Sequence, residues 1–146
     1  MHVIRIVLPL ALSLFCVLSA HAQRTQDKET GPVRSSAAYA EVLLRKTELQ
    51  ADIESFLADY TEENPTLVNA RYEIAILIRD TDRMFAVKPS EAGKLTQALG
   101  KLIVRRAALA TEYERLVRTR NKEHPELKRA KRKLGIFDAA IKEILG

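Results

Sequence analysis

The chain has 146 residues, enough for one domain, with 47% hydrophobic residues and a formal net charge of +5. One cysteine and three histidines exclude an internal disulfide framework and any Cys-Cys metal spacing, and the absence of tryptophan beside only four tyrosines and four phenylalanines disfavours a base-stacking nucleic-acid binder. The charge is unevenly divided: positions 23–86 hold 8 basic and 12 acidic residues, whereas positions 87–146 hold 15 basic and 7 acidic, so the two halves are electrically opposite.

Residues 1–22 read as a secretory signal. Arg5 and the free amine make a positive start, Ile6 to Leu18 is apolar apart from Ser13, and Ala20-His21-Ala22 is a small-x-small cleavage site. The alternative is an uncleaved anchor, although the apolar core falls short of the ~20 residues a membrane span needs. Cleavage would remove Cys16, His2 and His21 and leave His124 as the one imidazole. The expected localisation is therefore exported, either periplasmic or secreted. Residues 23–34 are polar, contain Gly31-Pro32 and show no period, which predicts a disordered tether.

From Ser35, a candidate N-cap, the pattern is helical. Val42, Leu49 and Phe56 lie seven apart, with Tyr39, Ile53 and Tyr60 interleaved, and Lys46 breaks this seam. A corner follows at Glu63-Asn64-Pro65-Thr66-Leu67. Proline inside a helix costs roughly 3 kcal/mol, whereas at the first helical position it costs little, so Pro65 marks a start with Asn64 as its cap and the preceding helix ends by about Glu62. The second helix carries Leu67, Ala70, Ile74, Leu77, Thr81 and Met84, flanked by Ile78 and Phe85, a stripe wide enough to need more than one partner helix. Pro89 ends it and Ser90 offers the next cap. The third helix carries Leu95, Leu99, Leu102, Leu109, Tyr113 and Leu116, with Gly93 and Gly100 expected to soften its start. A second corner at Glu123-His124-Pro125-Glu126-Leu127 opens a fourth helix carrying Leu127, Ala130, Leu134, Phe137, Ile141 and Ile144.

The corners lie 60 residues apart, and at that offset Arg45, Leu49, Glu54, Glu63, Pro65, Leu67, Ala70 and Ile76 recur as Arg105, Leu109, Glu114, Glu123, Pro125, Leu127, Ala130 and Ile136. Even the seam-breaking bases, Lys46 and Arg106, fall in register. The expectation is an all-α protein made by internal duplication of an antiparallel helical hairpin, the first over 35–86 and the second over 87–146. A lone hairpin of this size buries only about 60% of its surface, so the two must pack together as an up-down four-helix bundle or pair with other chains as an extended coiled coil.

Little chemistry is available for catalysis. His124 takes an ordinary corner position, and Glu62, Glu63, Glu123 and Glu126 sit where acids meet a helix dipole favourably, so no catalytic residue, metal ligand or cofactor is assigned. Lys46 and Arg106 either lay their stems over apolar surface with the charge at the edge or act as polar devices setting register or partner. The candidate binding surface is the basic block Arg115, Arg118, Arg120, Lys122, Lys128, Arg129, Lys131, Arg132 and Lys133 around the second corner. It neutralises the acidic half, or it meets a polyanion or anionic membrane surface, or it binds a protein, either an envelope protein or a second copy of itself.

The corner Tyr60-Thr61-Glu62-Glu63-Asn64-Pro65-Thr66-Leu67 resembles the Tyr-x4-Pro-x-aliphatic corner of the periplasmic coiled-coil hairpins in polysaccharide chain-length determinant and exopolysaccharide-export proteins. In that family histidine often precedes the proline, as His124 precedes Pro125 here, while Arg120 stands in the place of the tyrosine at the second corner. The resemblance implies a non-enzymatic scaffold or adaptor of the cell envelope. A weaker likeness, to small basic periplasmic holdase chaperones, implies the alternative, a protein that binds unfolded clients.

Overall fold

The computed structural model describes residues 31–146, so the signal reading and most of the expected tether lie outside the described residues. Two compact units divide the chain at Pro32–Val33, and the second, Val33–Gly146, holds the four long helices. The fold is all-α, as expected: α1 spans Ala37–Leu57, α2 Pro65–Phe85, α3 Gln97–Thr119 and α4 Pro125–Leu145, with a 3-10 helix at Pro89–Lys94 between α2 and α3. No helix among the described residues is long and apolar enough to cross a membrane.

Local chemistry accounts for each start and corrects several expected boundaries. The last two residues of the expected tether belong to this second unit: Val33 and Arg34 are helical, and Val33 is buried in its main core. Ser36 rather than Ser35 caps α1, accepting from the Tyr39 backbone N–H. Likewise Ser90 caps nothing: it lies in the 3-10 helix, and Thr96 caps α3 by accepting from Leu99 N–H. The first helix ends at Leu57, short of Glu62, leaving a longer first corner than the second.

Helix α3 is central. It packs against α1, α2 and α4, while α1 and α2 also pack on each other. The Ala38 N–H donates to the Leu95 carbonyl at 3.2 Å, and Gln97 donates to Glu41 at 2.7 Å, so the N-terminal ends of α1 and α3 meet and the two helices run side by side. Near the other end of α3, Arg118 reaches Asn69 of α2 at 2.7 Å. Both proline corners therefore lie at the same end of this unit.

That arrangement explains the stripes. Helix α2 contacts both α1 and α3, as its wide apolar face predicts, whereas α4 rests chiefly on α3; Ile76 is accordingly 1% exposed and Ile136, sixty positions on, 67% exposed. All six apolar positions assigned to α4 are buried or half-buried. The stripe of α1 is overestimated: Val42 is 1% exposed, Leu49 4% and Phe56 37%. A strict seven-residue repeat drifts about 20° per heptad on a straight helix, and two heptads carry Phe56 away from its partners. Ile78, also placed on an apolar seam, is 45% exposed, and Tyr60, 51% exposed, lies beyond the end of α1 and so outside its stripe.

Gly100 reverses an expectation. It is buried, and a Cβ added there would lie 2.8 Å from Ala38 Cα, from the Ala38 carbonyl oxygen and from Glu41 Cβ. The glycine marks the tightest approach of α1 to α3 rather than a soft helix start. Only the exposed Gly93, with nothing within 4 Å of such a Cβ, has the slack expected of both.

Candidate functional site

The two corners are built alike. Asn64 Oδ1 accepts from Thr66 N–H at 2.9 Å, and His124 Nδ1 accepts from Glu126 N–H at 3.3 Å, with backbone angles (φ, ψ) of −55°, 128° and −59°, 131°. The same turn precedes each cap: Asn64 N–H donates to Thr61 O at 3.0 Å and His124 N–H to Asn121 O at 3.1 Å. This matching geometry at the 60-residue offset supports the duplication. The imidazole is engaged as a helix cap, with Glu126 Oε2 3.8 Å from Nδ1. Its 3.3 Å bond is the weaker of the two. Asn64→Ala should lower the urea midpoint by the equivalent of ~1 kcal/mol, and His124→Asn should raise it by a few tenths, because a short carboxamide caps better than an imidazole.

The seam bases have different fates. Arg106 ties three helices together: its Nε donates to Asp138 of α4 at 2.8 Å, and one of its terminal nitrogens lies 3.3 Å from Asp80 of α2. Burial pushes the Asp80 carboxyl above its ordinary range, a shift that the nearby charges of Arg106, Arg83 and Arg79 oppose without cancelling. Lys46 forms no ion pair among the described residues. Its neighbour Arg45 instead meets the buried Glu73 at 2.8 Å, and that hydrogen bond, with the charge of Glu73, holds the guanidinium above its usual value. Sequence reasoning missed Glu73 and Asp80, buried carboxylates seven apart on α2. Their heptad spacing was the available signal.

The nine-residue basic block gathers at the corner end of α3 and α4, but among the described residues none of it pairs with an acid of the first half. Arg115 pairs with Glu112 at 2.6 Å, Arg120 with Glu126 at 3.6 Å, and Lys128 with Glu123, all within the same helical pair. The hydrogen bond to Arg115 holds the Glu112 carboxyl below its ordinary range. Arg118 alone crosses to α2, and its partner there is the uncharged Asn69. Lys122, Arg129, Lys131, Arg132 and Lys133 have no ion-pair partner among the described residues.

Two grooves flank this corner. One, of about 690 Å³, runs between the end of α3 and the start of α4; its apolar lining is Tyr113, Val117 and Leu127, and Arg120, Lys122, Lys128 and Lys131 stand around it. The other, of about 230 Å³, lies on the opposite side against Arg115, Arg129 and Lys133. Beneath them Leu116, Leu127 and Ala130 form a small core separate from the main one, with Tyr113 against it. Such a surface can hold an anionic, partly apolar ligand by desolvating its apolar part while paired charges fix its orientation. Among the described residues no group of three or more His, Cys, Asp or Glu side chains is placed to hold a metal ion. No family model, curated protein or solved structure matches this chain.

Proposed function

We propose that the protein is an exported, non-enzymatic helical scaffold or adaptor of a bacterial-type cell envelope, whose partner surface is the basic corner of α3 and α4. The observation that carries this reading is the set of cations left without acidic partners among the described residues, Lys122, Arg129, Lys131, Arg132 and Lys133, beside a groove with an apolar lining. Unpaired cations on one end raise the encounter rate with an acidic surface, and the apolar lining supplies the contact that persists after encounter. The engagement of His124 in helix capping supports a non-enzymatic role. Export rests on the apolar run before Ala20-His21-Ala22, and the envelope setting on the resemblance of the corners to exopolysaccharide-export hairpins.

The test is in-cell crosslinking from a photoreactive residue at position 131, with mass spectrometry of what is captured. One dominant partner is expected, an envelope protein or a second copy of the chain; many unrelated unfolded clients would favour the holdase reading instead. Reversing the neighbouring Arg129 and Arg132 to Glu should abolish that capture while leaving helicity unchanged, because both are exposed and neither has an ion pair among the described residues. Lost helicity in circular dichroism would mean that the charges serve the fold.

A further inference from the structure

The first corner carries the complement of the second. Asp52 and Phe56 lie one turn apart at the end of α1, Asp59, Tyr60 and Glu63 lie in the turn beyond it, and all five are exposed, an acidic and aromatic stripe that leads from the helix into the first corner. The Phe56 and Tyr60 rings meet at 5.9 Å with an interplanar angle of 51°, and both are open to solvent. Asp52 and Asp59 have no ion-pair partner among the described residues. In the second half of the duplication, the position equivalent to Phe56 is Leu116, which is buried in the small core with Leu127 and Ala130. The first corner thus exposes an aromatic pair between acids, and the second exposes an apolar-lined groove between bases.

We infer that these surfaces recognise each other between two copies of the chain. The aromatic pair of one copy enters the groove of the other between Val117 and Leu127, and Asp52 and Asp59 meet Lys122 and Lys131. Because both corners lie at the same end, a two-fold axis through that end makes the contact twice and closes a dimer, leaving no complementary surface free to extend a chain. Within one molecule the pairing does not occur among the described residues, where none of the nine basic residues forms an ion pair with an acid of the first half. Opposite charge sets the encounter and register, and aromatic burial supplies most of the attraction. This inference rests on the reading of the basic corner as a partner surface and names that partner as a second copy.

The experiment is sedimentation of the purified protein with two charge-swapped variants, Lys122→Glu/Lys131→Glu and Asp52→Lys/Asp59→Lys. All four residues are exposed, and circular dichroism checks that both variants keep their helicity. The unaltered protein should show twice the single-chain mass at ~50 mM salt and lose at least tenfold in association at about 500 mM, where charge is screened over a few ångströms. Each variant alone should sediment as a single chain, because its two corners now carry like charge. An equimolar mixture should recover the doubled mass, since every stripe again faces a groove of opposite sign. A mixture that stays single-chain overturns the inference, as do masses above the doubled value, which refute two-fold closure. Should the unaltered protein remain single-chain yet sediment with phosphatidylglycerol vesicles, the groove belongs to an anionic lipid surface and self-pairing is wrong. Capture of one envelope protein from position 131 by a protein that never self-associates would overturn the pairing and leave the adaptor reading standing.

Discussion

Replacing Arg106 with Met should destabilise the fold by about 3 kcal/mol, a fall of roughly 10 to 20 °C in the thermal midpoint for a unit of this size. Asp80 explains the magnitude. Its side chain is 5% exposed, and without Arg106 it keeps only Arg83, whose contact is 3.4 Å and whose own side chain is largely in water. A buried carboxylate that loses its main partner costs several kcal/mol, whereas Asp138, about half exposed, returns to solvent at little cost. The double variant Asp80→Leu/Arg106→Met should therefore recover most of the loss, because an apolar pair of similar volume needs no compensation. If the double variant is no more stable than the single one, the loss comes from packing of the arginine stem rather than from the orphaned charge.

The pH dependence has a definite sign. The Asp80 carboxyl titrates above its ordinary range in the folded protein, so the folded state binds that proton more tightly than the unfolded chain does. Stability from this group is present at acid pH and falls as the pH rises from the ordinary aspartate range through the raised folded value. Removing Arg106 takes away one of the charges holding the value down and moves that loss to higher pH. The Arg106→Met deficit should consequently be largest at neutral pH and shrink as the pH falls through the raised folded value toward the ordinary aspartate range, a trend that urea titrations at several pH values would read directly. A deficit independent of pH would remove Asp80 from the explanation.

Gly100→Leu should be the other severe substitution. Glycine to alanine inside an exposed helix ordinarily stabilises by about 1 kcal/mol. At position 100 the added carbon meets Ala38 backbone and Glu41 at 2.8 Å, and backbone cannot yield without separating α1 from α3. Overpacking of this kind costs about 1 to 3 kcal/mol, and the longer leucine belongs at or beyond the upper end. The control is Gly135→Ala on the exposed surface of α4, where nothing lies within 4 Å of the new Cβ and a gain of about 0.5 to 1 kcal/mol is expected. Opposite signs at these two glycines, measured by thermal unfolding, would separate packing from helix propensity; a gain at both would mean that α1 and α3 do not approach so closely in solution.

Several features were readable because local chemistry decides them. A proline with an acceptor side chain before it can open a helix and cannot continue one, so Asn64-Pro65 and His124-Pro125 placed both corners without knowledge of any partner. The apolar repeat of α4 was equally legible, since one neighbouring helix asks for one stripe. The basic surface was located as a block, but its electrostatic state was not. Nine cations between positions 115 and 133 left neutralisation by the acidic half open beside an external anionic or protein partner, and their pairing depended on which helices face each other.

The sequence by itself determined the helical class, the number and approximate limits of the long helices, and the two equivalent corners, because caps, prolines and apolar period act within a few residues. Tertiary structure alone decided that α3 packs on each of the three other long helices, that Gly100 seats α1 rather than softening α3, and that Arg106 rather than Lys46 is the seam base tied to a buried acid. It also decided that Phe56 faces solvent while Leu116, at the equivalent position, does not. These depend on helix rotation and on close approach between residues about 20 to 60 positions apart. A repeat of 3.6 residues per turn leaves such rotation open until neighbouring helices compete for the same face.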